Sequence, residues 1–140
     1  MLQGLGHTCI AVRDLERSVA FYRDVVGCKV GAKANFGTPG VDAVVCVSMH
    51  TGKGELELME ILDTPSKYRQ RPLEEDEVGS VHIAFNVDDI HEHVQKVKDS
   101  GAEITAGLYD LKLANGVVID NFYFRDPDGY TLQFSKVKDQ

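Results

Sequence analysis

His7 opens the segment His-Thr-Cys-Ile-Ala-Val, and His82 opens His-Ile-Ala-Phe-Asn-Val. The same offset relates Val12 to Val87, Asp14 to Asp89, Leu15 to Ile90 and Val19 to Val94. Almost the same offset relates Leu56-Glu57-Leu58 to Leu132-Gln133-Phe134. A module that carries one imidazole and one side-chain oxygen, used twice, yields two His, one Glu and one Gln. Imidazole, carboxylate and amide oxygen together suit a divalent ion such as Zn, Ni, Co, Mn or Fe. A lone His at the start of a strand is more often a packed or surface residue than a ligand. Repetition at matching positions favours His7, Glu57, His82 and Gln133 as metal ligands.

Such a set needs strands that aim the four side chains one way. Residues 5–12 alternate and are rich in β-branched types, so they predict a strand. Asp14 is a good helix N-cap, and Gly27 stands where a helix-ending glycine belongs. Between them Leu15, Val19, Tyr22 and Val26 form an apolar stripe, which predicts a helix over 14–26. Strands are expected at 28–36, 42–50 and 54–61, with turns at 37–40 and 51–54. The second half repeats the order: a strand at 81–87, a helix at 89–100 with stripe Ile90, Val94 and Val97, then strands near 102–110, 116–125 and 129–136. Asp126-Pro127-Asp128-Gly129 is a turn signal. The fold class is therefore α+β. Two βαβββ modules, 1–62 and 80–140, are joined by an acidic, Pro-containing linker over 63–79. In pseudo-twofold arrangement they would form one curved, cup-shaped mixed sheet with both helices outside.

Alternate residues of a strand share a face. Ile10 and Val12 oppose His7, Cys9 and Ala11; Ile83, Phe85 and Val87 oppose His82, Ala84 and Asn86. Leu56 and Leu58 oppose Glu57, and Leu132 and Phe134 oppose Gln133. If the bulky residues pack under the helices, the four candidate ligands look into the cup, and small neighbours leave room for a substrate. Segments 31–42, 62–79 and 105–116 would form its rim. Glu55 shares the face of Glu57 and competes with it as ligand. Glu60 has the opposite parity and reads as solvated. His91 and His93, at i and i+2 of a helix, do not face each other and read as surface residues. Cys9 reads as a small filler.

The net charge of −7, from 15 basic and 22 acidic residues, argues against nucleic acid or an anionic membrane as partner. No apolar run reaches membrane-spanning length, and no charged leader precedes an apolar segment at the N-terminus. Three Cys at unrelated spacings make a disulfide framework a poor fit and a cytoplasmic setting the expectation.

The run from Gly6 to Gly27, with Val81-His82-Ile83-Ala84-Phe85 and Phe124-Arg125-Asp126-Pro127-Asp128-Gly129-Tyr130, resembles the glyoxalase / bleomycin-resistance / extradiol-dioxygenase superfamily, the vicinal oxygen chelate fold. The resemblance spans nearly the whole chain and implies His7, Glu57, His82 and residue 133 as metal ligands. Position 133 departs from the pattern, since Gln stands where such proteins carry Glu. Methylmalonyl-CoA epimerases of this superfamily use two His, one Gln and one Glu, with the Gln in the first module, so here the two are exchanged. The resemblance implies a metal-dependent lyase, isomerase or epimerase that stabilises an enolate or enediolate of a small oxygenated substrate, of the kind of a thioester or hemithioacetal. Glu57 would be the general base. The alternatives are a non-haem Fe(II) or Mn(II) dioxygenase and a metal-free ligand-binding protein of the bleomycin-resistance type. A homodimer is expected, because half-barrel sheets of this size leave strand edges to cover.

Overall fold

The computed structural model describes residues 1–2, 4–38, 41–62, 73 and 76–138, without the side chains of 36–38 and 41–43. The chain divides into two compact units, Met1–Tyr68 and Arg69–Gln140. The linker expected at 63–79 lies mostly outside the described residues.

The first unit runs β1 (Thr8–Ala11), α1 (Leu15–Phe21), a π-helical turn (Tyr22–Val26), β2 (Lys29–Thr38), β3 (Val41–His50) and β4 (Glu55–Ile61). The second runs β5 (Ile83–Asn86), α2 (Ile90–Ser100), β6 (Ile104–Lys112), β7 (Val118–Arg125) and β8 (Thr131–Val137). Each is the expected βαβββ module. The strands form two four-stranded sheets, ordered β1-β4-β3-β2 and β5-β8-β7-β6. In both, the first strand lies parallel to the last and the other pairs are antiparallel. The parallel ladders end alike: Val12 N–H donates to the Met59 carbonyl at 2.8 Å, and Val87 N–H to the Ser135 carbonyl at 3.0 Å.

The helices start where the sequence puts caps. The Asp14 side chain accepts from Arg17 N–H, and that of Asp89 from His91 and Glu92 N–H. Glu60 departs from its solvated reading. Its Oε2 accepts from Leu15 N–H at 2.9 Å and satisfies a second donor at the start of α1. Gly27 and Gly101 end the helices at φ 93° and 73°, a left-handed conformation that suits glycine.

Helix 14–26 is not uniform. Its last turn widens, and both Gly27 and Cys28 N–H donate to the Tyr22 carbonyl. Tyr22, Val25 and Val26 are thereby all buried. The core stripe is Leu15, Ser18, Tyr22 and Val26, with Val19 only half-buried. Ser18 thus occupies a core position, and its hydroxyl has no hydrogen-bond partner among the described residues. A buried unsatisfied hydroxyl costs stability, so Ser18→Ala should stabilise by about 1 kcal/mol. That corresponds to a melting temperature higher by roughly 3–5 °C. A lower melting temperature would mean that water or a shifted backbone satisfies the hydroxyl.

In the second unit Ile90, Val94 and Val97 are buried as the stripe predicts, over Phe85, Phe124 and Phe134. Phe124 and Phe134 have ring centroids 4.7 Å apart. His93, read from the sequence as a surface residue, lays its ring edge-on to Phe134 at 5.1 Å. Among the described residues no helix is long and apolar enough to cross a membrane.

Candidate functional site

In the first unit Ile10, Leu56 and Leu58 are buried, so the opposite face carries Cys9 and Glu57. Cys9 is the register partner of Glu57 across β1 and β4, and His7 lies two residues before Cys9. On the other side of β4, Ser48 is the partner of Glu57 and His50 that of Glu55. His7 precedes β1 rather than lying within it and is exposed.

The two competing carboxylates have different surroundings. Glu55 accepts from the Ser48 hydroxyl at 2.7 Å and stands 3.7 Å from His50 Nδ1. Glu57 is flanked by two thiols. That of Cys9 is pushed up to about 12, first by burial, then by its hydrogen bond to Glu57 and the charge of that carboxylate. Cys9 is exposed as a residue, so the carboxylate is the cause that survives its exposure. The buried Cys46 thiol is pushed up to about 11 by burial and by the charge and hydrogen bond of Glu57. Both sulfurs therefore stay protonated at neutral pH, donors to Glu57 rather than rivals to it. Cys9, read as a filler, is a neighbour of the candidate base.

The second unit repeats the arrangement. Phe85, Leu132 and Phe134 are buried, and Ala84 is the register partner of Gln133, with His82 two residues before Ala84. In both units, then, the residue two places after the His pairs with the residue that brings the oxygen donor. His82 is exposed and packs edge-on to Tyr123, with centroids 5.6 Å apart.

Gln133 is buried, and its Nε2 donates to Asn121 Oδ1. Asn121 in turn donates Nδ2 to the Ile119 carbonyl at 3.1 Å. This second bond fixes which end of the Asn121 amide faces Gln133, and so which end of Gln133 faces Asn121. The Gln133 carbonyl oxygen is left as the end available to a cation. Asn121 was not singled out from the sequence, because its role depends on the register between β7 and β8.

A cavity of about 440 Å³ opens on the same face of the second sheet, where β5 and β8 begin and β7 ends. His82, Tyr109, Tyr123, Arg125 and Thr131 line it. Residues 105–112, expected at the rim of the cup, belong to β6, and Tyr109 brings its ring to the wall. The turn after Arg125 is built on Asp126, whose Oδ1 accepts from Asp128 and Tyr130 N–H at 2.9 and 2.8 Å. Asp126 is thus structural, as the turn signal predicts.

Among the described residues no three His, Cys, Asp or Glu side chains form a ready-made metal cluster. His7 and Glu57 lie in the first unit, and His82 and Gln133 in the second.

The family model of the Glyoxalase/Bleomycin resistance protein/Dioxygenase superfamily matches residues 4–134. The chain is 30% identical to a lactoylglutathione lyase of Neisseria meningitidis serogroup A, over 94% of this chain and 89% of the relative. It is 32% identical to an ethylmalonyl-CoA/methylmalonyl-CoA epimerase of Cereibacter sphaeroides, over 98% of this chain and the whole relative. Among solved structures, a glyoxalase family protein from Bacillus cereus superposes with a TM-score of 0.84 at 21% identity, covering 99% of this chain and 97% of that one. The fosfomycin resistance protein FosX from Listeria monocytogenes, complexed with Mn(II) and sulfate, superposes with a TM-score of 0.64 at 19% identity, covering 97% and 93%.

Proposed function

Since the chain belongs to the Glyoxalase/Bleomycin resistance protein/Dioxygenase superfamily, we propose that it is a metal-dependent lyase, isomerase or epimerase. Its reaction is the removal and return of a proton beside a carbonyl of a small oxygenated substrate. One observation carries this reading. The relation of His7 to Glu57, through the pair Cys9–Glu57, is the relation of His82 to Gln133, through the pair Ala84–Gln133. The helix caps Asp14 and Asp89 also recur, but each closes its own helix, whereas His7 and His82 stand exposed just ahead of β1 and β5, where recurrence suits a ligand set assembled from two copies of one module.

The donor types fit a divalent ion, and His7, Glu57, His82 and Gln133 would hold it. When bound, the ion supplies electrophilic stabilisation of the negative charge that develops on the substrate oxygens. Glu57 takes the proton. Among the described residues no hydroxyl holds it, whereas Ser48 engages Glu55. The thiols of Cys9 and Cys46 orient it without competing for the proton. Tyr123, against the His82 ring, limits where that imidazole can turn.

The relatives name two substrate classes, a glutathione thioester and acyl-CoA thioesters. The test is a panel of hemithioacetals, methylmalonyl-CoA and catechols, run with Ni, Co, Mn, Zn and Fe(II). Turnover of a hemithioacetal or acyl-CoA without oxygen consumption is the expected result. Oxygen uptake with ring cleavage of a catechol would overturn it in favour of a dioxygenase.

The same reading includes a homodimer in the cytoplasm. The edge strand β6 exposes Ile104, Leu108 and Leu111, and such an edge needs cover. Sedimentation at micromolar concentration should give a dimer, and a monomer alone would reject this part.

A further inference from the structure

We infer that Arg125 is a specificity-determining residue that binds a carboxylate of the substrate, in a pocket running from its guanidinium to His82. The inference rests on the reading of this face as the substrate face, and it names the substrate class: an acyl compound that carries a free carboxylate apart from its reacting carbon.

Arg125 ends β7 opposite Thr131, and Tyr123 is opposite Gln133 in the same ladder. Cross-strand partners share a face, so Arg125, Thr131 and Tyr123 stand on the face of the candidate ligands. All three line the cavity, as does His82. The guanidinium is fixed. Its Nη1 donates to the Gly129 carbonyl at 3.2 Å and to the Thr131 hydroxyl at 2.7 Å. Both acceptors are neutral, and among the described residues no carboxylate pairs with Arg125. The other edge of the fork, Nε and Nη2, presents two parallel N–H groups, which match the two oxygens of a carboxylate.

A half-buried cation with no counter-ion among the described residues, tied at a pocket wall, is arranged for an anion from outside. The wall beside it is aromatic. Tyr109 stacks on Tyr123 with centroids 6.4 Å apart and planes inclined by 15°. That stack offers a flat surface for the carbon chain between the carboxylate and the atoms near His82. Asp76 also lines the cavity but is exposed, so solvent screens its charge more than that of Arg125.

The chain has five Tyr and no Trp, so tyrosine fluorescence reports on this wall. The test is a titration of the full chain, stripped of metal and then freed of chelator, with malonate, inorganic phosphate and dimethyl malonate. Malonate should bind saturably, and dimethyl malonate should not. Arg125→Ala should weaken malonate by about tenfold or more, and Arg125→Lys, which keeps the charge but loses the fork, by a smaller factor. Phosphate binding more weakly than malonate supports a carboxylate pocket. Phosphate binding more tightly overturns it in favour of a phosphate site.

Arg125 also ties the β7–β8 turn, so thermal melts accompany each variant. Asp76→Asn removes an exposed charge with little risk to folding and should leave malonate binding equal or tighter. Weaker binding in that variant, equal affinity for the neutral diester, or equal affinity in folded Arg125→Lys and wild type would each overturn the inference. Because binding is read without metal, failure of the proton-transfer reading would leave the malonate titration intact. Failure here would leave turnover on the substrate panel intact.

Discussion

Glu57→Gln is expected to lower turnover by roughly a hundredfold to ten-thousandfold, the usual contribution of a positioned general base, and to lower metal content as well. Glu55→Gln should keep most of the turnover. The two residues share a face of β4 and have the same chemistry, so the difference must come from their neighbours. Glu55 is engaged by the Ser48 hydroxyl at 2.7 Å and lies 3.7 Å from His50. A carboxylate so engaged resists the rotation that proton transfer requires. Glu57 is flanked by two protonated thiols, weak donors that orient it without holding it as a hydroxyl would. Metal content by elemental analysis, turnover and a thermal melt on both variants separate a lost base from a lost fold. Full activity in folded Glu57→Gln together with loss in folded Glu55→Gln would mean that the two roles are reversed.

The parts of the fold legible in the sequence are those set by local chemistry. Asp14 and Asp89 cap their helices, Gly27 and Gly101 end them, and Asp126 builds its turn, because each acts within a few residues of itself. The alternation of the strands likewise separated Leu56 and Leu58 from Glu57, and Leu132 and Phe134 from Gln133. What stayed hidden depends on partners far along the chain. Ser18 is buried where the stripe puts Val19, because which of two neighbouring positions meets the sheet depends on β3 and β4, on which the helix packs. Glu60 caps α1 from 45 residues away. Arg125 and Tyr109 read as ordinary strand residues until the β6–β7–β8 register brings them to one wall. Asn121 belongs here too, and it changes what the departure at residue 133 means.

Gln133→Glu is expected to destabilise the metal-free protein by about 1–3 kcal/mol, the cost of an unpaired buried group or more, and yet to raise its affinity for a divalent ion. With Gln133, Nε2 donates to Asn121 Oδ1 and the carbonyl oxygen is left for a cation. With Glu, two oxygens would face each other in a buried site. Asn121 could offer its Nδ2 instead only by giving up the Ile119 carbonyl. A metal ion relieves that conflict by taking the added charge, so the rise in melting temperature on adding metal should be larger in Gln133→Glu than in wild type. The proposed set of two His, one Glu and one neutral amide would leave a divalent ion with one residual positive charge, and that charge would stabilise negative charge developing on a substrate oxygen more than a two-carboxylate set would. Gln133→Glu should therefore bind metal more tightly and turn over more slowly. Gln133→Ala, where water can replace a neutral ligand, should weaken metal binding only modestly. Metal affinity by competition with a chelator, melts with and without metal, and turnover give three independent readings. Equal metal affinity in all three proteins would show that residue 133 does not touch the ion, and that its bond to Asn121 serves the fold alone.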